Sequence, residues 1–405
     1  MGELRVRKRG KTWEWSFEGA RIGGKRKPIS KSGYRTKALA LAAGTQAKAE
    51  YDSGGRVFTP STMSVSDYLD YWYNRYVKQQ AYRTQLSYES HIRLHIKPYL
   101  GRYRLSALAP DIIQGWVDDV LYAEKNLSYQ SITCILATLS GSLNYAVHPC
   151  QYIKQNPCSY VKMPNIPVDL ERKKHMEYVC IGEDWKAVTN FLLDAYPYYY
   201  LTILADYHTG MRIGELLAID LLSDYDPEAR TLAVNHQIQY IEKVWRYINP
   251  KYDSFRILKI DSILQRAIEK EIEERKENML RYGPYYLKTY CLPDNSIAQF
   301  PASSNVPPTY REIWPIGVRE NGKMINPEDA KRVSRLVKKK IGLKYFHLHS
   351  LRHTHGTILA ENGASPKTVM ERLGHKNISV TLQRYVFNTA KMQQDSVELF
   401  EKAVQ

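Results

Sequence analysis

From residue 64 to residue 147 the apolar side chains recur at helical spacing, and that run divides the chain into three textures. Leu69, Trp72, Tyr73 and Tyr76 fall at i, i+3, i+4 and i+7, behind Ser64 or Ser66 as a helix cap. A second helix after Thr84 carries Tyr88, Ile92 and Ile96 and is expected to stop at Pro98 and Gly101. Pro110 suits the first position of the next helix, DIIQGWVDDVLYAE, and Ser128 opens a long amphipathic one, YQSITCILATLSGSLNYAV. Four or five such helices must bury their stripes against one another, so the aromatic residues are expected to form a bundle core.

The flanks differ. Residues 3–35 mix Trp13, Trp15, Phe17 and Tyr34 with GK and GG turn signals, which predicts a three-stranded sheet. Thr36 can then cap a helix over KALALAAGTQAKAEYD, which backs the sheet. Residues 56–63 have a linker's composition, and the four prolines within 149–168 suggest a connector between domains. From about residue 175 helices and strands alternate: Asp184 can cap a helix, Asp261 another, and Asn326 with Pro327 starts a basic one. Residues 282–325, rich in Pro and Tyr, show no clear period. The expected fold is multidomain: a small α+β domain at 1–57, an all-α domain at 63–165, and a mainly helical domain with a small β-sheet at 172–405.

Charge narrows the function classes. The 405 residues carry a net +16, and fourteen Lys and Arg against five acidic residues lie within the first sixty. More than half of the excess sits there, which favours a polyanionic partner through counterion release. Arg5, Arg7, Lys25, Arg26 and Lys27 are candidate DNA-binding residues on the small sheet, able to enter a groove or lie along phosphates. No run of about 18 apolar residues is present, the N-terminus is charged, and five unpaired-looking cysteines fit a reducing cytoplasm.

The usual engines of nucleotide and metal chemistry have no motif here: GxxxxGK[ST], GxSxG and HExxH are all missing. What remains is cationic and aromatic. Arg212 lies beside Glu215 in HTGMRIGE, His349 and Arg352 lie three apart in HSLRHTHGT, His375 follows RLG, and Tyr385 lies in TLQRYV. Guanidinium forks can clamp non-bridging phosphate oxygens, imidazoles can donate hydrogen bonds or move protons, and a phenol can become a covalent ester. No metal or other cofactor is called for.

These segments resemble the tyrosine recombinase (integrase) family. HTGMRIGELLAID is similar to its first-arginine motif. HLHSLRHTHGTILAENGASPKTVMERLGHKNISVTLQRYVFNT is similar to its His-x-x-Arg, Leu-Gly-His and tyrosine boxes. The resemblance implies a cytoplasmic recombinase of a phage or conjugative transposon that integrates and excises a mobile element without cofactors. It implies Tyr385 as nucleophile forming a 3′-phosphotyrosine, Arg212 and Arg352 as phosphate clamps, and His349 and His375 as hydrogen-bond donors or proton carriers. A hairpin lysine serves the family as general acid; Lys251 matches best and Lys259 stands in reserve, since Tyr252 and Asp253 depart from the pattern. Also implied are an arm-site reader, a helical core-site domain, tetramers on DNA, an excision partner and a tail helix, DSVELFEKAVQ, that docks on a neighbour. A Xer-like resolvase, a nicking and resealing topoisomerase and a silent DNA-binding regulator are the alternatives.

Overall fold

The structure is a computed structural model, and it describes residues 3–22, 25–54, 61–167, 174–175, 178–377, 397–398 and 400–401. The chain forms two compact units, 1–167 and 168–405.

The first unit begins with the antiparallel sheet β1 (Arg5–Arg9), β2 (Thr12–Ile22) and β3 (Lys25–Tyr34), in that order. Alternation along β2 turns Trp15 and Phe17 inward, where they pack with Ala47 of α1 (Lys37–Gly54). Thr36 accepts the Leu39 N–H at 3.2 Å and starts that helix. Arg5 and Arg7 are exposed on β1, and Arg7 Nε donates to the buried Glu14 at 2.9 Å. Lys25, Arg26 and Lys27 open β3 in backbone; their side chains lie outside the described residues.

A separate core belongs to the helices α2 (Val65–Arg75), α3 (Tyr82–His91), α4 (Lys97–Leu100), α5 (Pro110–Gly115) and α6 (Tyr129–Val147). Ser64 and Ser128 are the caps of α2 and α6, as expected. One expectation needs correction. Pro98 does not end the second helix: a π-turn at Ile92–Ile96 joins α3 to α4, and Pro98 lies in that segment's first turn, where a missing N–H costs little. In the first half of the connector, Ile153 and Cys158 are buried in the helical core and Asn156 Nδ2 donates to Ser140 O at 3.1 Å.

In the second unit, α7 (Gly182–Ala195) and α8 (Tyr200–Thr209) lead to the short α9 (Ile213–Leu216). Asp184 lies in the first turn of α7 and accepts the Tyr178 hydroxyl at 2.7 Å instead of capping the helix. Strands β4 (Tyr225–Asp226), β5 (Thr231–Val234) and β8 (Arg256–Lys259) form one antiparallel sheet. Between β5 and β8 the chain makes a hairpin, β6 (Gln237–Ile241) and β7 (Val244–Ile248). Its tip, Glu242 and Lys243, has φ of 50° and 68°, the left-handed pair that matches strand twist, here without glycine. Asp261 caps α10 (Ser262–Tyr282) through its carboxylate. The stretch without clear period contains a sheet of order β10-β9-β11, with β9 Leu287–Cys291, β10 Ile297–Pro301 and β11 Arg311–Ile313. Helices α11 (Pro327–Ile341), α12 (Leu348–Glu361) and α13 (Pro366–Leu373) follow; the buried faces of α11 and α12 join α7 and α8 around Tyr199, Val333, Phe346 and Leu351, while Val369 and Leu373 of α13 pack separately against Leu359 and Ala360 at the end of α12. Among the described residues no helix is long and apolar enough to cross a membrane.

Candidate active site

The site grows from the turn between α8 and α9. Helix α8 ends in Gly210, whose φ of 63° suits the left-handed conformation that closes a helix. A Cβ there would come within 2.8 Å of the His355 ring and 2.7 Å of Leu373, so only glycine lets α12 and α13 approach. The Gly210 carbonyl accepts Arg352 Nη1 at 2.8 Å. Arg352 is 2% exposed on α12, three residues after the exposed His349. Their spacing predicts one face, and in depth they differ: the arginine is buried and the histidine exposed.

Two residues past Gly210, Arg212 caps α9. Its Nη1 donates to Glu215 Oε1 at 2.5 Å and its Nη2 to the Gly374 carbonyl at 2.8 Å. Gly374 ends α13 with φ of 68°, and His375, half-buried, is the next residue. A Cβ on Gly374 would meet Arg256 Nη1 at 2.8 Å. One arginine therefore ties the α8–α9 turn to the backbone that carries His375, while the other is tied to the same turn from α12.

Glu215 and Arg256 are site residues that motif matching passed over. Glu215 is fully buried, and its second oxygen accepts Arg256 Nη2 at 2.8 Å and the Arg212 backbone N–H at 3.1 Å. Arg256 Nε also donates to the Arg372 carbonyl at 2.9 Å. Burial alone would raise the Glu215 carboxyl, but the Arg256 guanidinium and then Arg212 outweigh it and hold the group below the ordinary carboxylate range. The available signal was Glu215 at i+3 from Arg212 and the Ser-x-Arg before β8. One turn below, Asp206 is buried; burial pushes its carboxyl well up, against the opposing pull of Arg352.

Lys251 follows β7 in a turn where Tyr252 has φ of 64°. Its Nζ lies 5.0 Å from the centre of the Tyr252 ring, and Lys376 Nζ, next to His375, lies 5.4 Å from the same centre. The reserve lysine, Lys259, ends β8 and donates to the Ala229 carbonyl at 3.2 Å. The nucleophile assignment, Tyr385, lies outside the described residues, as does most of the tail segment.

The phage integrase family pattern matches residues 185–392, a span that holds Arg212, Lys251, His349, Arg352, His375 and Tyr385. The chain belongs to the phage integrase family, the tyrosine recombinases. It is accordingly an enzyme of DNA strand cleavage and rejoining. The family's N-terminal SAM-like domain pattern matches residues 64–121, within the helical bundle. A XerC-like tyrosine recombinase of Caldanaerobacter subterraneus subsp. tengcongensis is 27% identical over 326 residues, covering 78% of this recombinase and 76% of the relative. The integrase of Staphylococcus phage L54a is 24% identical, covering 85% and 94% of the two chains. Among solved structures, the Tn1549 transposon integrase in complex with transposon right end DNA shares the fold with a TM-score of 0.65 at 21% identity. That likeness covers 84% of this recombinase and all of that chain.

Proposed function

We propose that the protein is a site-specific DNA recombinase that integrates and excises a mobile element, with Tyr385 as its nucleophile. The phenolic oxygen attacks the scissile phosphorus, the bond to the 5′-oxygen breaks, and a 3′-phosphotyrosine forms. Lys251 gives the departing 5′-oxygen its proton, and its nearness through Tyr252 to the His375 segment supports it over Lys259. Arg212 and Arg352 spread the developing charge over two guanidinium forks, and His349 and His375 donate to the phosphate. In the second half the free 5′-hydroxyl of a partner strand attacks the phosphotyrosine and the phenol leaves. One phosphoester replaces another at each step, so no nucleotide is consumed.

The observation that carries this reading is the shared anchoring of Arg212 and Arg352. One donates to Gly210 O, the other lies two residues beyond it and donates to Gly374 O beside His375. In this reading residues 1–57 bind arm sites through Arg5, Arg7, Lys25, Arg26 and Lys27, residues 63–165 bind core sites, and residues 172–405 are catalytic. Duplex DNA, a tetramer of this chain and an excision partner complete the assembly. The test is covalent adduct formation on a nicked attachment-site substrate. Wild type is expected to form adduct, Tyr385→Phe none, and Lys251→Ala little unless sulfur replaces the bridging 5′-oxygen, because a thiolate leaves without a proton. No adduct from wild type, or adduct from Tyr385→Phe, overturns the proposal.

A further inference from the structure

Arg372 has no part in the scheme above, yet its guanidinium reaches three other elements of the catalytic unit. Its Nε donates to His355 Nε2 at 2.9 Å, its Nη1 to Lys259 O at 3.0 Å, and its Nη2 to His208 O at 3.2 Å. Its own carbonyl accepts Arg256 Nε at 2.9 Å. One residue thus joins α12, the end of β8 and the last turn of α8 to the end of α13, two positions before Gly374.

The imidazole it meets is fixed in tautomer. His355 Nδ1 lies 2.9 Å from the Tyr207 carbonyl and must carry the proton, which leaves Nε2 as an acceptor for the guanidinium. A second proton on His355 would set two donors face to face. Burial, then the neighbouring Arg372 cation, hold the group down to about 4, so the arrangement persists at neutral pH. A lysine at 372 could reach only one of the three acceptors, because the fork geometry belongs to guanidinium.

We infer that Arg372 is a positioning residue for strand cleavage: it fixes the α13 terminus so that Gly374 O meets Arg212 and His375 faces the phosphate, while its carbonyl orients Arg256 on Glu215. The chain of contacts runs Arg372, Arg256, Glu215, Arg212, and separately Arg372, α13 end, Gly374, Arg212. Both routes end on the same guanidinium, so loss of Arg372 should be felt through Arg212. This rests on the recombinase reading of Arg212 and His375.

The experiment is a double-mutant cycle on single-turnover adduct formation by the full-length protein at saturating DNA. It uses Arg372→Gln, Arg212→Lys and the pair, with thermal unfolding of each variant and a binding titration on the same duplex. Arg372→Gln is expected to slow cleavage at least tenfold with duplex affinity within about twofold of wild type. The pair is expected to lose clearly less than the product of the single losses, because the second change removes a contact already misplaced. The sulfur-bridged substrate should not restore Arg372→Gln, since the defect lies at the clamp and not at the leaving oxygen. Cleavage near the wild-type rate, strict multiplicativity in the cycle, or restoration by sulfur each overturns the inference. Should Arg372→Gln fail to fold, Arg372→Lys enters the same cycle with the same expected pattern. Absence of adduct from wild type strikes the recombinase reading, whereas wild-type adduct with unimpaired Arg372 variants strikes this inference alone.

Discussion

Replacing Glu215 by glutamine should unsettle the site and the fold around it together. Glu215 is fully buried and its two oxygens take three donors: Arg212 Nη1 at 2.5 Å, Arg256 Nη2 at 2.8 Å and the Arg212 N–H at 3.1 Å. Glutamine keeps the shape but loses the charge, and one of its acceptors becomes an NH2 facing a guanidinium. Two partly buried cations then share a neutral neighbour. Removing one partner of such a buried pair costs about 3–5 kcal/mol. At about 1.4 kcal/mol per decade that is a hundredfold to a few thousandfold in the local folding equilibrium. The assay is urea unfolding of the full chain followed by hydrogen exchange of peptides from 200–260, so the catalytic unit is observed apart from the helical one. Adduct formation is measured below the transition, where Arg212 has lost its strongest anchor and cleavage should fall sharply. A loss under about 1 kcal/mol with unimpaired cleavage would refute the idea that this carboxylate organises the clamp.

Two other outcomes follow from the same physics. His355 and His347 are both held down to about 4, by burial first and then by Arg372 and His175 respectively, against an ordinary value near 6.5. The unfolded chain therefore binds more protons between those values, so stability is complete above about 6.5 and declines as pH falls to about 4. The loss is up to about 3 kcal/mol for buried His355 and less for half-buried His347; an acid-side melting series on wild type and His355→Gln checks it, and equal slopes would contradict it. On the small sheet, Arg5→Gln should lower the slope of log affinity against log salt on arm-site DNA by about 0.9 for one lost phosphate contact. An unchanged slope would show that this charge is idle.

Much of the site was legible because its chemistry sits in local motifs. Arg212, His349, Arg352 and His375 each lie in a short run whose residue types announce themselves, and the N-caps Ser64, Ser128, Asp261 and Asn326 are local by nature. What stayed hidden was non-local. Glu215 meets Arg256 from 41 positions away and Arg372 meets His355 from 17, and nothing in either segment encodes its partner. The same holds for the fold. The sheet in 287–313 is built from short strands whose pairing depends on tertiary packing rather than a long alternating run. The hairpin at 237–248 turns on Glu-Lys, a pair without the Asn-Gly signature of such turns. Pro98 reads as a helix stop, but in a first turn its missing N–H costs little, and that is the position it occupies.

The central claim is a covalent bond between Tyr385 and a DNA 3′-phosphate, and the direct measurement is peptide mapping of a trapped adduct. Wild-type protein is incubated with a nicked attachment-site duplex, the complex is digested with nuclease and protease, and the modified peptide is sequenced by mass spectrometry. The account predicts a nucleotide remnant on the peptide containing LQRYVFNTA, at Tyr385. A remnant on any other tyrosine, or on a serine, would contradict it.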